Sequence, residues 1–213
     1  MNLTGEQLAA RFSCNCWTSQ VKHFRDLLEG FARNGANYEN AIKALKELAS
    51  FAWYKIIAKK NNIDNPFDIK VVKAYWMGDE NLVKPIKSNG NILLPFHNFT
   101  VLGDIHRYAG ITVKDIDACK VSVAKVYGTK ESQIDVSHRA LIQRGKEFSL
   151  TQNPKIISIE KGFIGKVETG DWVVYHEEIV IDVLSEKEAL AFIRRTEEAI
   201  KLFNQQQHED PVI

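Results

Sequence analysis

The sequence predicts an α+β protein: a helical N-terminal domain, then a small β-barrel carrying a C-terminal helix. Through residues 1–117, apolar positions recur every three or four residues, the period of a helix with one buried face. From Ala118 they alternate in short, regularly spaced runs, as strands of a small closed or nearly closed barrel do. Past residue 184 the helical period returns. The predicted domains are therefore 1–117 and 118–213.

Val21, Phe24, Leu27, Leu28 and Phe31 form one apolar stripe, predicting a helix that ends near Asn34-Gly35. A longer stripe follows in Ala41, Ile42, Leu45, Leu48, Ala49, Ala52, Trp53, Ile56 and Ile57, up to the polar break KKNNIDN. Asn65 and Pro66 suit an N-cap and a first helical position, opening a short helix through Val71, Val72 and Tyr75. Asp79 to Asn91 is rich in turn formers and reads as a loop. In LLPFHNFTVLGDIHRYAG the latter part reads as a buried helix.

The run CKVSVAKVYG alternates with Cys119, Val121 and Val123 on one face, predicting a first strand that begins at the cysteine. A second alternating run covers Ser132 to Ile142. Further strands are expected at Lys155–Ile159, Phe163–Val167, Trp172–His176 and Ile179–Val183. Ser185 and Glu188 form the capping box S-x-x-E ahead of the last helix, whose stripe is Ala189, Phe192, Ile193, Ala199, Ile200 and Phe203. The polar end QQQHEDPVI is expected to fray.

Composition narrows the function classes. The chain has 213 residues, 45% hydrophobic and 26% charged, with a net charge of +1. That balance gives no general electrostatic reason to bind nucleic acid or an anionic membrane. No apolar run approaches the ~18–20 residues of a membrane span. MNLTGEQLAARF lacks the basic start and apolar stretch of a signal peptide. With three cysteines, an odd number, reduced thiols in the cytoplasm are the expectation.

No phosphate loop, dinucleotide fingerprint, H-E-x-x-H or G-x-S-x-G is present. Cys14 and Cys16 form CNC, a closer pair than zinc sites use, and no second pair completes a four-sulfur set. Unbound thiols are their expected state. His97 and His106 are nine residues apart, which on a helix turns their rings to opposite faces. The pair Glu177-Glu178 reads as a solvated strand end. Cys119 opens one predicted strand and His176 ends another. If both face the barrel interior they meet at its mouth, where a thiolate and an imidazole could hold a soft or intermediate metal such as iron.

GDWVVYHEEIVIDVLSEKEALAFIRRTEEAI resembles the end of the small nickel–iron hydrogenase assembly chaperones of the HypC/HupF type, and CKVSVAKVYG resembles their opening strand. The resemblance spans residues 118–204. It implies that Cys119 and His176 handle iron, transiently, and dock on a hydrogenase large subunit or maturation factor. In that family the cysteine follows the initiator methionine, whereas Cys119 is internal, and the family's Pro-Gly is replaced by Ala124-Lys125. The whole chain also resembles a larger family whose genes lie near hydrogenase genes. Its AYW-[IVM]-G and LP-x-H-x-F motifs stand here as AYWMG (Ala74–Gly78) and LPFHNF (Leu94–Phe99), which adds His97 as a candidate site residue.

The expected function is a non-catalytic accessory protein for a metalloenzyme, a nickel–iron hydrogenase by resemblance. Two alternatives stand beside it: a structural subunit of such a complex, and an enzyme with Cys119 as nucleophile and His176 as base.

Overall fold

A computed structural model describes the backbone of residues 3–14, 19–88, 91–108 and 110–209. The chain forms two compact units, Met1–Val83 and Lys84–Ile213.

The first unit is helical: α1 (Gly5–Ser13), α2 (Ser19–Asn34), α3 (Tyr38–Glu47), α4 (Ala49–Lys60) and α5 (Ile69–Met77). Thr4 and Gln7 build a capping box that starts α1. The long stripe over 41–57 is two helices rather than one. Leu48 is extended between them (φ −75°, ψ 146°), so that α3 packs on α2 while α4 packs on α5. No proline or glycine marks this break. Asn65 starts a side-chain turn, its Oδ1 accepting from Phe67 N–H at 2.9 Å, and the true N-cap is Asp68, three residues later. Gly78 ends α5 in the left-handed region, φ 71°. The core is aromatic: Phe12 stacks on Trp76 with centroids 4.8 Å apart, and Trp76 Nε1 donates to the buried Tyr54 hydroxyl at 2.5 Å. Gly5 is required where α1 crosses the start of α5, because a Cβ there would lie 1.8 Å from the Phe67 carbonyl oxygen.

The second unit begins with two paired strands, β1 (Ile86–Ser88) within the segment read as loop and β2 (Asn91–Leu93) starting at its last residue. Two helices follow, α6 (His97–Arg107) and α7 (Val113–Cys119), then β3 (Ser122–Thr129), β4 (Gln133–His138), β5 (Leu141–Arg144), β6 (Glu147–Leu150), β7 (Lys155–Glu160), β8 (Trp172–His176), β9 (Ile179–Leu184) and α8 (Glu186–Glu209). The strands β3-β4-β7-β9-β8 close a five-stranded barrel, the small closed barrel that the alternation predicts. β5 and β6 form a separate hairpin, and Phe163–Val167 is not a strand.

Three boundaries differ from the sequence reading. The units divide after Val83 and not after residue 117, because α6 packs on α8 and α7 packs on β5. The first barrel strand starts at Ser122, and Cys119 closes α7 instead of opening a strand. A seven-residue helix has too few turns to show a 3.6-residue period, and the alternation of its neighbour overran it. Of the tail expected to fray, residues 205–209 belong to a helix, with Gln206 Nε2 donating to the Ile92 carbonyl at 2.5 Å, and residues 210–213 lie outside the described residues.

The barrel core consists of Ala124, Val126, Ile134, Val136, Ile159, Val173, Tyr175 and Val180, with Val167. Ser185 and Glu188 cap α8 reciprocally, as predicted. The α8 stripe covers more than the barrel: Phe192 meets Phe96 ahead of α6, and Phe203 meets Phe99 of α6 and Phe148 of β6. Among the described residues, no helix is long and apolar enough to cross a membrane.

Candidate metal centre

All three candidate residues come from the second unit. His97 is the first residue of α6. Pro95 cannot extend a helix backwards, Phe96 is extended as N-cap, and the Thr100 hydroxyl donates to the His97 carbonyl at 2.8 Å. Cys119 is the last residue of α7. His176 is the last residue of β8.

Strand alternation decides where His176 faces. Val173 and Tyr175 point into the barrel core, so Val174 and His176 point to the opposite, outer face. That face is also buried, with His176 only 1% exposed. The condition that Cys119 and His176 both face the barrel interior is therefore not met at His176. The same holds for β3, where Ala124 and Val126, rather than Val121 and Val123, fill the core. Periodicity separates two faces of a strand but cannot say which is the inside when both are covered.

On that outer face the structure brings all three candidates together. One ligand atom from each of His97, Cys119 and His176 lies within 4.8 Å of the others. The Cys119 Sγ is 4.0 Å from His97 Nε2, and the two imidazole rings meet edge to face with centroids 5.4 Å apart. All three are buried, at 5%, 2% and 1% exposure. In a tetrahedral site with bonds of about 2.0–2.3 Å, ligand atoms stand about 3.3–3.8 Å apart. Closing on an ion therefore takes movements of about 1 Å or less. Two nitrogens and one sulfur suit a soft or borderline ion such as zinc or iron(II).

His97 Nε2 also faces the Cys119 carbonyl at 3.0 Å, and a carbonyl only accepts, so this nitrogen carries the proton. Burial, then the neighbouring His176, pushes the His97 pKa down to about 3, against the carbonyl contact. The ring is neutral near pH 7, with Nδ1 as its unprotonated nitrogen and therefore the atom able to ligate a metal.

The β8–β9 connection is a two-residue turn in which Glu177 (φ 52°) and Glu178 (φ 62°) are both left-handed, and Glu177 N–H donates to the Ala118 carbonyl at 3.3 Å. The acidic pair thus forms the hairpin turn itself and tethers β8 to the turn of α7 before Cys119.

A buried polar chain flanks the cluster. Lys120 Nζ donates to Ser122 Oγ at 2.6 Å, and Ser122 bonds the Tyr175 hydroxyl. Tyr175 donates to His138 Nδ1 at 2.6 Å, and His138 Nε2 donates to Asp117 Oδ2 at 3.0 Å. Lys120 Nζ closes the ring on Asp117 Oδ1 at 2.9 Å, and that oxygen also accepts from Leu141 N–H at 2.7 Å. The bonds run by two arms from Lys120, which only donates, to Asp117, which only accepts, so that each donor meets an acceptor. Burial alone would raise the Asp117 pKa, but His138, Lys120 and the Leu141 N–H outweigh it and hold it at about 2. Burial pushes the Lys120 ammonium down, and Asp117 opposes that. The ring shares backbone with two of the candidates, since Lys120 follows Cys119 and Tyr175 precedes His176. Sequence reading missed these residues because they lie on separate elements. Asn98 was missed although it stands within LPFHNF.

Cys14 takes no part. It caps α1 in the first unit, fully buried, with its thiol donating to the Arg11 carbonyl at 3.6 Å. Burial, reinforced by Glu29, pushes the thiol pKa up to about 12. Cys16 and the side chain of His106 lie outside the described residues.

A family model described as "Family of unknown function (DUF6390)" matches residues 91–210. No curated protein and no solved structure matches the chain.

Proposed function

We propose, for a chain that belongs to the family of unknown function DUF6390, a metal-holding accessory role in the assembly of a metalloenzyme. The single observation that carries it is the convergence of His97, Cys119 and His176, from two helices and a strand, into one buried set of donors. Resemblance to the nickel–iron hydrogenase assembly chaperones favours iron as the ion. It likewise favours a hydrogenase large subunit or maturation factor as the partner of the barrel unit. In this reading the protein is not a catalyst. The outer face of the barrel holds one ion, water is excluded from it, and the neutral imidazoles and the thiolate are its ligands.

A cysteine beside two histidines would also suit a thiol nucleophile with a histidine base, but the nitrogen 4.0 Å from Cys119 Sγ, His97 Nε2, carries its proton on the Cys119 carbonyl and cannot accept the thiol's. Cys119 at 2% exposure offers a substrate no surface in this conformation, which favours the metal reading.

The test is to purify the reduced chain without oxygen, titrate it with iron(II) and zinc(II), and pull down partners with a tagged copy in its native cell. One bound equivalent that disappears in Cys119→Ser, with a hydrogenase subunit or maturation factor in the pull-down, is the expected result. No ion bound and no such partner recovered would overturn the proposal.

A further inference from the structure

His97 and Cys119 belong to different helices, so neither helix by itself fixes the distance between their side chains. Besides the bond of His97 Nε2 to the Cys119 carbonyl, the residue after His97 joins them. Asn98 is 3% exposed, and its side-chain amide reaches across to the link between α7 and β3. Its Oδ1 accepts from Val121 N–H at 2.8 Å, and its Nδ2 donates to the Val121 carbonyl at 2.9 Å. One amide thus satisfies both backbone groups of one residue, as a neighbouring strand would. Nδ2 donates also to Thr196 Oγ1 of α8 at 3.1 Å, and Thr196 is itself buried. The first turn of α6, the segment two residues past Cys119 and the middle of α8 are thereby pinned together. Only an amide offers one acceptor and two donors in this arrangement. A carboxylate would lack both donors, and an apolar isostere would lack everything.

We propose that Asn98 is the positioning residue of the metal centre, holding the His97 imidazole at the distance from Cys119 at which both can reach one ion. This rests on the metal-holding reading above. The amide does not ligate; it acts through His97. In metal sites, groups that orient a ligand commonly change affinity by about 10–100-fold when removed. Asn98 differs from most such groups in bonding to backbone on the far side of the site and not to the imidazole.

The test uses cobalt(II) as the probe, because its thiolate-to-metal absorption reports the Cys119 bond, with zinc(II) in competition for affinity. Asn98→Ala should weaken binding by about 10–100-fold in the otherwise native chain, and by less than about twofold in a His97→Ala background. The affinity of the His97→Ala protein itself is the reference for that second comparison. An equal loss in both backgrounds, or no loss in the native one, overturns the proposal. Should Asn98→Ala fail to fold, Thr196→Val removes one of the three bonds and should show a smaller loss with the same dependence on His97. A second readout needs no metal. The imidazole N–H of His97, held on the Cys119 carbonyl, should give a slowly exchanging proton resonance that is lost in Asn98→Ala. A native chain that binds neither cobalt nor zinc sinks the metal-holding reading, whereas an unchanged imidazole resonance in Asn98→Ala sinks only the role given to Asn98.

Discussion

His97 Nε2 stands 3.0 Å from the carbonyl oxygen of Cys119 and 4.0 Å from the sulfur of the same residue. The carbonyl keeps the imidazole beside the thiol, so the two side chains are prearranged although they belong to different helices. Preorganisation of this kind lowers the cost of assembling a site.

Loss of any one ligand should therefore be severe. Structural zinc sites with four donors contribute about 10–16 kcal/mol, so one donor in three corresponds to at least ~3 kcal/mol, or about 100-fold in affinity. Separate His97→Ala, Cys119→Ser and His176→Ala variants, titrated with zinc(II) against a chelator, check this. Three variants with native affinity would remove the centre.

Cys119→Ala and His176→Ala should also fail to add. Their ligand atoms lie within 4.8 Å of each other, and residues serving one ion act as a unit. The double variant is expected to bind metal no worse than the weaker single variant. A sum of the two losses, measured by the same titration, would mean two independent sites.

Asp117→Ala should unfold the barrel unit more readily than any exposed substitution. It removes the counter-charge of Lys120, which is 5% exposed, and leaves His138 and Leu141 N–H without their acceptor. Breaking one partner of a buried ion pair costs about 3–5 kcal/mol. The midpoint of urea unfolding reads it, and a loss under ~1 kcal/mol would show that water replaces the carboxylate.

Glu178→Gly is expected to stabilise the protein. Glu178 is exposed and sits at φ 62°, a conformation that costs an L-residue about 1 kcal/mol or more and glycine little. The expected gain is about 1 kcal/mol in the same unfolding experiment, with metal affinity unchanged because His176 keeps its place at the strand end.

Cys14 should be inert. With its thiol pKa pushed from 9.0 up to about 12, its thiolate fraction at pH 8 is roughly 10³-fold below that of an unperturbed cysteine. Alkylation followed by peptide mapping should label it only after unfolding. The stability linked to this thiol is fully present below pH 9, where both folded and unfolded forms are protonated. It falls by roughly 1.4 kcal/mol per unit as pH rises from there towards 12, because only the unfolded chain ionises. Labelling at the free-thiol rate in the folded protein would contradict the burial.

The sequence by itself determined the class of the fold and most of its parts. The change from a 3.6-residue to a two-residue period sets helices before a barrel, since each period buries one face of one element. The Ser185–Glu188 box starts α8 because both partners of a cap lie within four residues. The limits of β8 and the start of β9 were legible for the same reason, as they depend on neighbouring residues alone. The tertiary structure decided what depends on distant ones. Leu48 breaks a continuous apolar stripe because α3 and α4 must cover different neighbours. Cys119 ends a helix too short to show its period. His176 faces outward, because a strand covered on both sides carries no mark of which side is the barrel interior. The third donor, His97, and the amide of Asn98 that holds it come from 22 and 23 residues before their backbone partners at Cys119 and Val121. No local pattern encodes such a distance. It is fixed by the packing of α6, α7 and α8 around the outer face of the barrel.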